Sequence, residues 1–238
     1  MHFLFIAFRV ITVFLLFFPF ICVFAQQKEQ TGWAAWFNSY RFSSHLGLHL
    51  DVQVRSADRW EYARNLLVRP GFTYYFNNQH NVTLGYALVR TYSDPDLSPE
   101  NHLTEHRLWE QYIYAQKVGR LPLAHRFRVE QRFIGRTGED IFAQRLRYFA
   151  RLIIPCVANK GTFNRGLFVA AQNEIFLNLG NKEKLNHSLF DQNRAYLALG
   201  YRLNEKADVE GGYLLQYIKG SDRNVRNNVF QIAIYTRF

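Results

Sequence analysis

The chain has 238 residues, with 29 Lys and Arg against 19 Asp and Glu, for a formal charge of +10. That length suits one domain, and both a soluble β-sandwich and a mid-sized barrel fit it. Basic chains commonly meet nucleic acid. Here the 22 arginines, against 7 lysines, are interleaved with a strand pattern and no nucleic-acid module is present, so no nucleic-acid partner is expected.

Residues 1–25 read as a secretory signal peptide. Arg9 leads an apolar run from Val10 to Phe24, broken only by Thr12 and Pro19, and Ala25 precedes the polar Gln26-Gln27-Lys28-Glu29-Gln30. A run of roughly 15 apolar residues is short for a spanning helix. Ile21 ahead of Cys22 is too bulky for a lipoprotein site. Residues 26–238 form the remaining domain, where Cys156 stands alone, so no intramolecular disulfide is expected. No later stretch approaches the roughly 20 apolar residues of a membrane helix. A chain of this kind residing in a bilayer must pair its backbone between strands, as a closed barrel.

The elements that follow are strands. A weak one is expected at 31–42. Next, His45 to Arg55 alternates without error: Leu46, Leu48, Leu50, Val52 and Val54 on one face, and His45, Gly47, His49, Asp51, Gln53 and Arg55 on the other, the face expected to line the lumen. Further strands are expected at 62–76, 81–91, 106–117, 124–134, 142–155, 166–177, 194–203, 207–219 and 227–238. Most are longer than the five or six residues usual in soluble proteins. Short turns at 77–80 and 204–206 alternate with longer polar loops at 92–105 and 178–193, as in outer-membrane barrels. The fold class is therefore all-β, an antiparallel transmembrane β-barrel of about 10–12 strands. Such barrels are normally even: ten strands result if 31–42 is left out, twelve if it counts and one further strand exists. The last strand, Phe230 to Phe238, alternates and ends on an aromatic, like the signal by which such barrels meet their insertion machinery.

The charges fall on one face of the strands. Arg126, Arg128, Glu130 and Arg132 are followed by Arg145, Arg147 and Arg151, then Glu174, Arg202, Asp208 and Glu210. A lipid-facing Arg at mid-depth costs about 2–4 kcal/mol, so this face is expected to line a polar lumen. These residues form either a structural ladder of ion pairs or a basic patch for an anionic solute or lipid phosphate. Local carboxylates are too few to pair every guanidinium of the 126–151 hairpin. No catalytic constellation stands out. His187 and Ser188 are adjacent in a loop, and on a strand would point to opposite faces. His45 and His49 would lie about 13 Å apart along a strand, too far to share a metal. No cofactor or metal site is expected.

A set of pieces occurs in order: Trp33-Ala34-Ala35-Trp36, Arg69-Pro70-Gly71-Phe72-Thr73-Tyr74, Gly85-Tyr86, Arg107-Leu108-Trp109-Glu110-Gln111, Arg126 to Phe133, Asp191-Gln192-Asn193-Arg194 and Gly200-Tyr201. In this order the chain resembles the exported barrel family known as domain of unknown function 2490. The resemblance covers about residues 31–238 and implies an outer-membrane barrel with no established activity and no functional residues to carry over. The expected location is the bacterial outer membrane. The expected partners are outer-membrane lipid, the insertion machinery through the strand ending in Phe238, and an anionic small molecule. The leading function is a non-enzymatic barrel: structural, a narrow channel, or a binder of anionic solute or lipid. The alternatives are an outer-membrane lipid or peptide hydrolase and a secreted lipocalin-like barrel.

Overall fold

The computed structural model describes residues 26–96, 102–136, 138–156 and 163–238. The expected signal peptide, with Cys22, lies outside the described residues. Eleven strands form one closed barrel: β1 (Gln26–Arg41), β2 (Leu46–Ser56), β3 (Ala63–Tyr75), β4 (His80–Tyr92), β5 (His102–Val118), β6 (Leu121–Ile134), β7 (Ile141–Pro155), β8 (Gly166–Gly180), β9 (Phe190–Asn204), β10 (Ala207–Ile218) and β11 (Asn224–Arg237). Each strand from β2 to β10 pairs antiparallel with both sequence neighbours.

Eleven strands lie within the expected 10–12, and the count is odd where ten or twelve was expected. The weak segment at 31–42 is a full strand, and the count stays odd because β1 pairs parallel with β11, from Gln26↔Asn224 to Ser39↔Arg237. An odd sheet can close only if its first and last strands run the same way. Side chains reinforce this seam. The Thr31 hydroxyl donates to Asn227 Oδ1 (3.1 Å), and Trp36 Nε1 and Asn38 Nδ2 both donate to Thr236 Oγ1 (3.0 and 2.7 Å).

Connection lengths distinguish the two ends. One end carries turns at 42–45, 76–79, 119–120 and 205–206, together with the longer 156–165; the other carries 57–62, 93–101, 135–140, 181–189 and 219–223. Gly119, at φ 63°, supplies the left-handed residue of its two-residue hairpin. β1 enters at the long-connection end and β11 leaves at the short-turn end.

Polarity is inverted relative to a soluble barrel. Leu84, Leu197 and Leu199 on the exterior are 62%, 60% and 59% exposed, whereas Arg128 and Glu130 in the lumen are 1% exposed. Strand alternation produces this directly, since successive side chains point to opposite faces. Exterior rings gather near both rims. At the short-turn end, His80 stacks on Tyr114 (4.8 Å) and His125 lies between Tyr114 and Tyr148 (6.1 Å each). At the other end, Phe133 meets Phe142 (5.2 Å) and Tyr92 meets His102 (6.0 Å). Along β6, His125 and Phe133 are separated by about 26 Å of strand before tilt.

Large side chains fill part of the lumen. Trp33, Phe168, Tyr196, Leu214 and Val229 make an apolar cluster against β8–β11 and β1. Across from it, the Trp109 ring lies over Gly71 and Gly85. A Cβ at Gly85 would come within 2.1 Å of that ring, and one at Gly200 within 2.3 Å of Phe168. These glycines are seats for large inward rings.

Candidate functional site in the lumen

The predicted charged residues all point inward, and the strands sort them into three groups. The central group is knotted around Glu130. Arg145 donates to it through Nε and Nη2 (3.0 and 2.6 Å), and Arg147 through Nη1 (2.5 Å). Arg147 also reaches Glu174 through Nε and Nη2 (2.9 and 2.6 Å), where Arg126 adds a second guanidinium (2.7 Å). Arg128 approaches Glu130 only to 4.0 Å; its Nε and Nη2 donate to Gln111 Oε1, and its guanidinium lies 4.3 Å from the centre of the Trp109 ring. Arg132 pairs with Glu105, which also takes both arms of Arg107.

Two groups stand apart, nearer the short-turn end. Arg151 clamps Glu210 (2.5 and 3.2 Å), with the Tyr235 hydroxyl as a third donor. Arg202 and Arg237 share Asp208. Arg151, Arg202 and Glu210 therefore belong to structural clamps and not to the central group.

Above the Glu130 knot, toward the long connections, lies a cavity of ≈ 190 Å³ lined by Arg55, Arg69, Arg107, Arg132, Arg145, Arg147 and Arg194, with Glu105 as its one carboxylate and Phe176 at its wall. Phe176 carries the guanidiniums of Arg145, Arg147 and Arg194 within 4.4–5.1 Å of its centre. Such contacts relieve part of a cation's desolvation without neutralising it.

Around cavity and knot, nine guanidiniums (Arg55, Arg69, Arg107, Arg126, Arg128, Arg132, Arg145, Arg147 and Arg194) meet five carboxylates (Asp51, Glu105, Glu130, Glu174 and Asp191). The excess is four positive charges. Among the described residues, Arg69 Nε, Arg126 Nε and Arg128 Nη1 are buried with no hydrogen-bond partner. Uncompensated buried charge is costly, and here guanidiniums outnumber the carboxylates beside them.

Residues 30–227 match the family described as protein of unknown function, DUF2490. The chain belongs to DUF2490. The matched stretch runs from β1 into β11, so it takes in the whole arginine-lined cavity. No curated protein and no solved structure matches the chain. The DUF2490 description brings no activity with it, and the chemistry of this DUF2490 chain is read from the lumen itself.

Sequence reasoning missed the upper half of this site. Arg55, Asp51, Arg69, Glu105, Arg107 and Arg194 share the inward parity of their strands with the residues that were found. Trp33 and Phe176 lie on the same face, though they look like ordinary core. The hydrolase alternative gains no geometry: His187 turns its Nδ1 to Glu183 Oε2 (3.2 Å), and the Ser188 backbone N–H donates to Asn186. His45 also departs from its expected lumen face, for it stacks on the outward Tyr74 (5.7 Å).

Proposed function

We propose that the chain is an outer-membrane β-barrel whose lumen binds a small anionic solute entering from the long-connection end. The observation that carries this reading is the inverted polarity, an apolar exterior around a cavity with seven arginines and one carboxylate. An exterior of this kind is stable in contact with hydrocarbon, and aromatic side chains near both rims suit the two interfaces of a bilayer. The short-turn end corresponds to the periplasmic side, since short turns are periplasmic in such barrels. The cavity then opens toward the outside.

Binding is favoured over free conduction. Below the cavity the lumen is crossed, among the described residues, by the Glu130 knot, the Trp109 ring and the apolar cluster, which narrow any aqueous path. The test has two parts. The protein should fractionate with outer membranes and migrate differently on gels before and after boiling. In planar bilayers its conductance should be small and anion-selective, and in detergent its thermal midpoint should rise with added polyvalent anions. A large, unselective conductance with no effect of anions on the midpoint would overturn the binding role.

A further inference from the structure

We infer that the cavity contains a specific site for a dianionic phosphate group, held by Arg55 and Arg194 beside Trp33. This deepens the anion-binding reading and rests on it. Among the cavity arginines these two are distinctive. Arg69, Arg107, Arg132, Arg145 and Arg147 each contact a carboxylate. Arg55 donates Nε and Nη2 to Gln53 Oε1 (3.2 and 2.6 Å), and Arg194 donates Nε to Gln192 Oε1 (3.2 Å). A neutral amide orients a guanidinium and leaves its charge intact.

Both glutamines are themselves fixed. Gln53 Nε2 donates to Asp51 (3.1 Å), and Gln192 Oε1 accepts from Gln216 Nε2 (2.6 Å). The two arginines are thus braced before any ligand arrives, which lowers the ordering cost of binding. Their guanidinium carbons also lie 3.9 and 5.0 Å from the centre of the same Trp33 ring. Two positive charges lining one cavity beside the same ring favour a ligand with two negative charges on a single group. A dicarboxylate spreads its charges along a chain, whereas a phosphate monoester concentrates them and offers oxygens to both forks.

Thermal unfolding of the purified full-length protein in detergent tests the assignment, with glycerol phosphate, sulfate and chloride as added anions. Glycerol phosphate and sulfate should each raise the midpoint well beyond chloride at equal ionic strength. The glycerol phosphate effect should grow as pH rises through about 6, where the second proton leaves, while the sulfate effect stays level. In Arg55→Gln and Arg194→Gln the apparent affinity should fall roughly 10–100-fold, the loss expected for a charge-assisted contact.

Should either variant fail to fold, Gln192→Glu gives the same information without removing a buried cation. It supplies Arg194 with its own carboxylate, so the glycerol phosphate response should disappear. A full response in Gln192→Glu or in both arginine variants would overturn the site while leaving the lumen an anion binder. Absence of any anion effect on the unaltered protein would overturn the broader reading as well. Vesicles containing phosphatidic acid distinguish the source of the group. An effect of vesicles alone, dependent on Arg55 and Arg194, assigns the site to a lipid headgroup; one independent of them overturns it.

Discussion

Glu130 accepts hydrogen bonds from Arg145 and Arg147 while 1% exposed, so its loss enlarges the excess of buried positive charge and leaves Arg145 only Asp191 and Arg147 only Glu174 as carboxylate partners. Glu130→Gln should therefore destabilise the barrel by about 3–5 kcal/mol, measured by urea unfolding in lipid vesicles. Gly85 poses the opposite problem, since a methyl group there meets the Trp109 ring at 2.1 Å. Gly85→Ala should cost about 1–3 kcal/mol, and only part of that cost should vanish in a background of Trp109→Ala, because the Pro70 carbonyl oxygen still lies 2.7 Å from the added Cβ. On the exterior, Glu110 breaks the apolar face. It accepts a bond from Gln131 Nε2 (3.1 Å) midway along β5. In a bilayer a lipid-facing carboxylate is unfavourable, so Glu110→Leu should raise stability by less than about 2 kcal/mol in vesicles. An unchanged or lower midpoint for that variant would mean that this stretch of wall faces something other than lipid.

The β6–β7 hairpin was the most legible element, because alternating Arg and apolar residues gave both its strands and their faces. Its partners were harder to read. Asp191 reaches Arg145 (2.9 Å) although strict alternation from Arg194 places it on the other face; the β8–β9 register shifts between Phe176 and Leu177, and parity does not carry across that shift. Trp33 was hidden for another reason. A single aromatic on a weakly alternating strand carries no sign of the two cations that settle on it. At the long-connection end, Lys184 donates to Glu139 (2.8 Å) and ties 135–140 to 181–189. The hydrogen bond and the charge of Lys184 hold the Glu139 carboxyl below its ordinary pKa. A carboxyl depressed on folding contributes above its unfolded pKa and loses that contribution as pH falls through the folded value. The two connections should therefore loosen together in the acid range, seen as faster amide exchange in both, and Lys184→Gln should remove that pH dependence.

For the molecule as a whole, the strand pattern made the barrel and its inverted polarity readable, and the closure was not. Alternation describes each strand alone and does not say whether the first and last run together or opposed. The register of the seam can be checked by cross-linking. Ala35 and Ala233 are opposite each other, and both are buried in the lumen wall. In a Cys156→Ser background, Ala35→Cys with Ala233→Cys should oxidise to a single intramolecular disulfide, read as a mobility change after boiling. A pair shifted by two residues, Phe37→Cys with Ala233→Cys, should oxidise poorly. The parallel seam has a further effect on how this chain can be rewired. In an even barrel the first and last strands meet at one rim, and a few residues suffice to circularise it. Here β1 begins at one mouth and β11 finishes at the other, so a circular permutant needs a bridge of roughly twelve or more extended residues. That bridge would have to run past the guanidiniums or outside the wall, so permutants should refold only with long connectors.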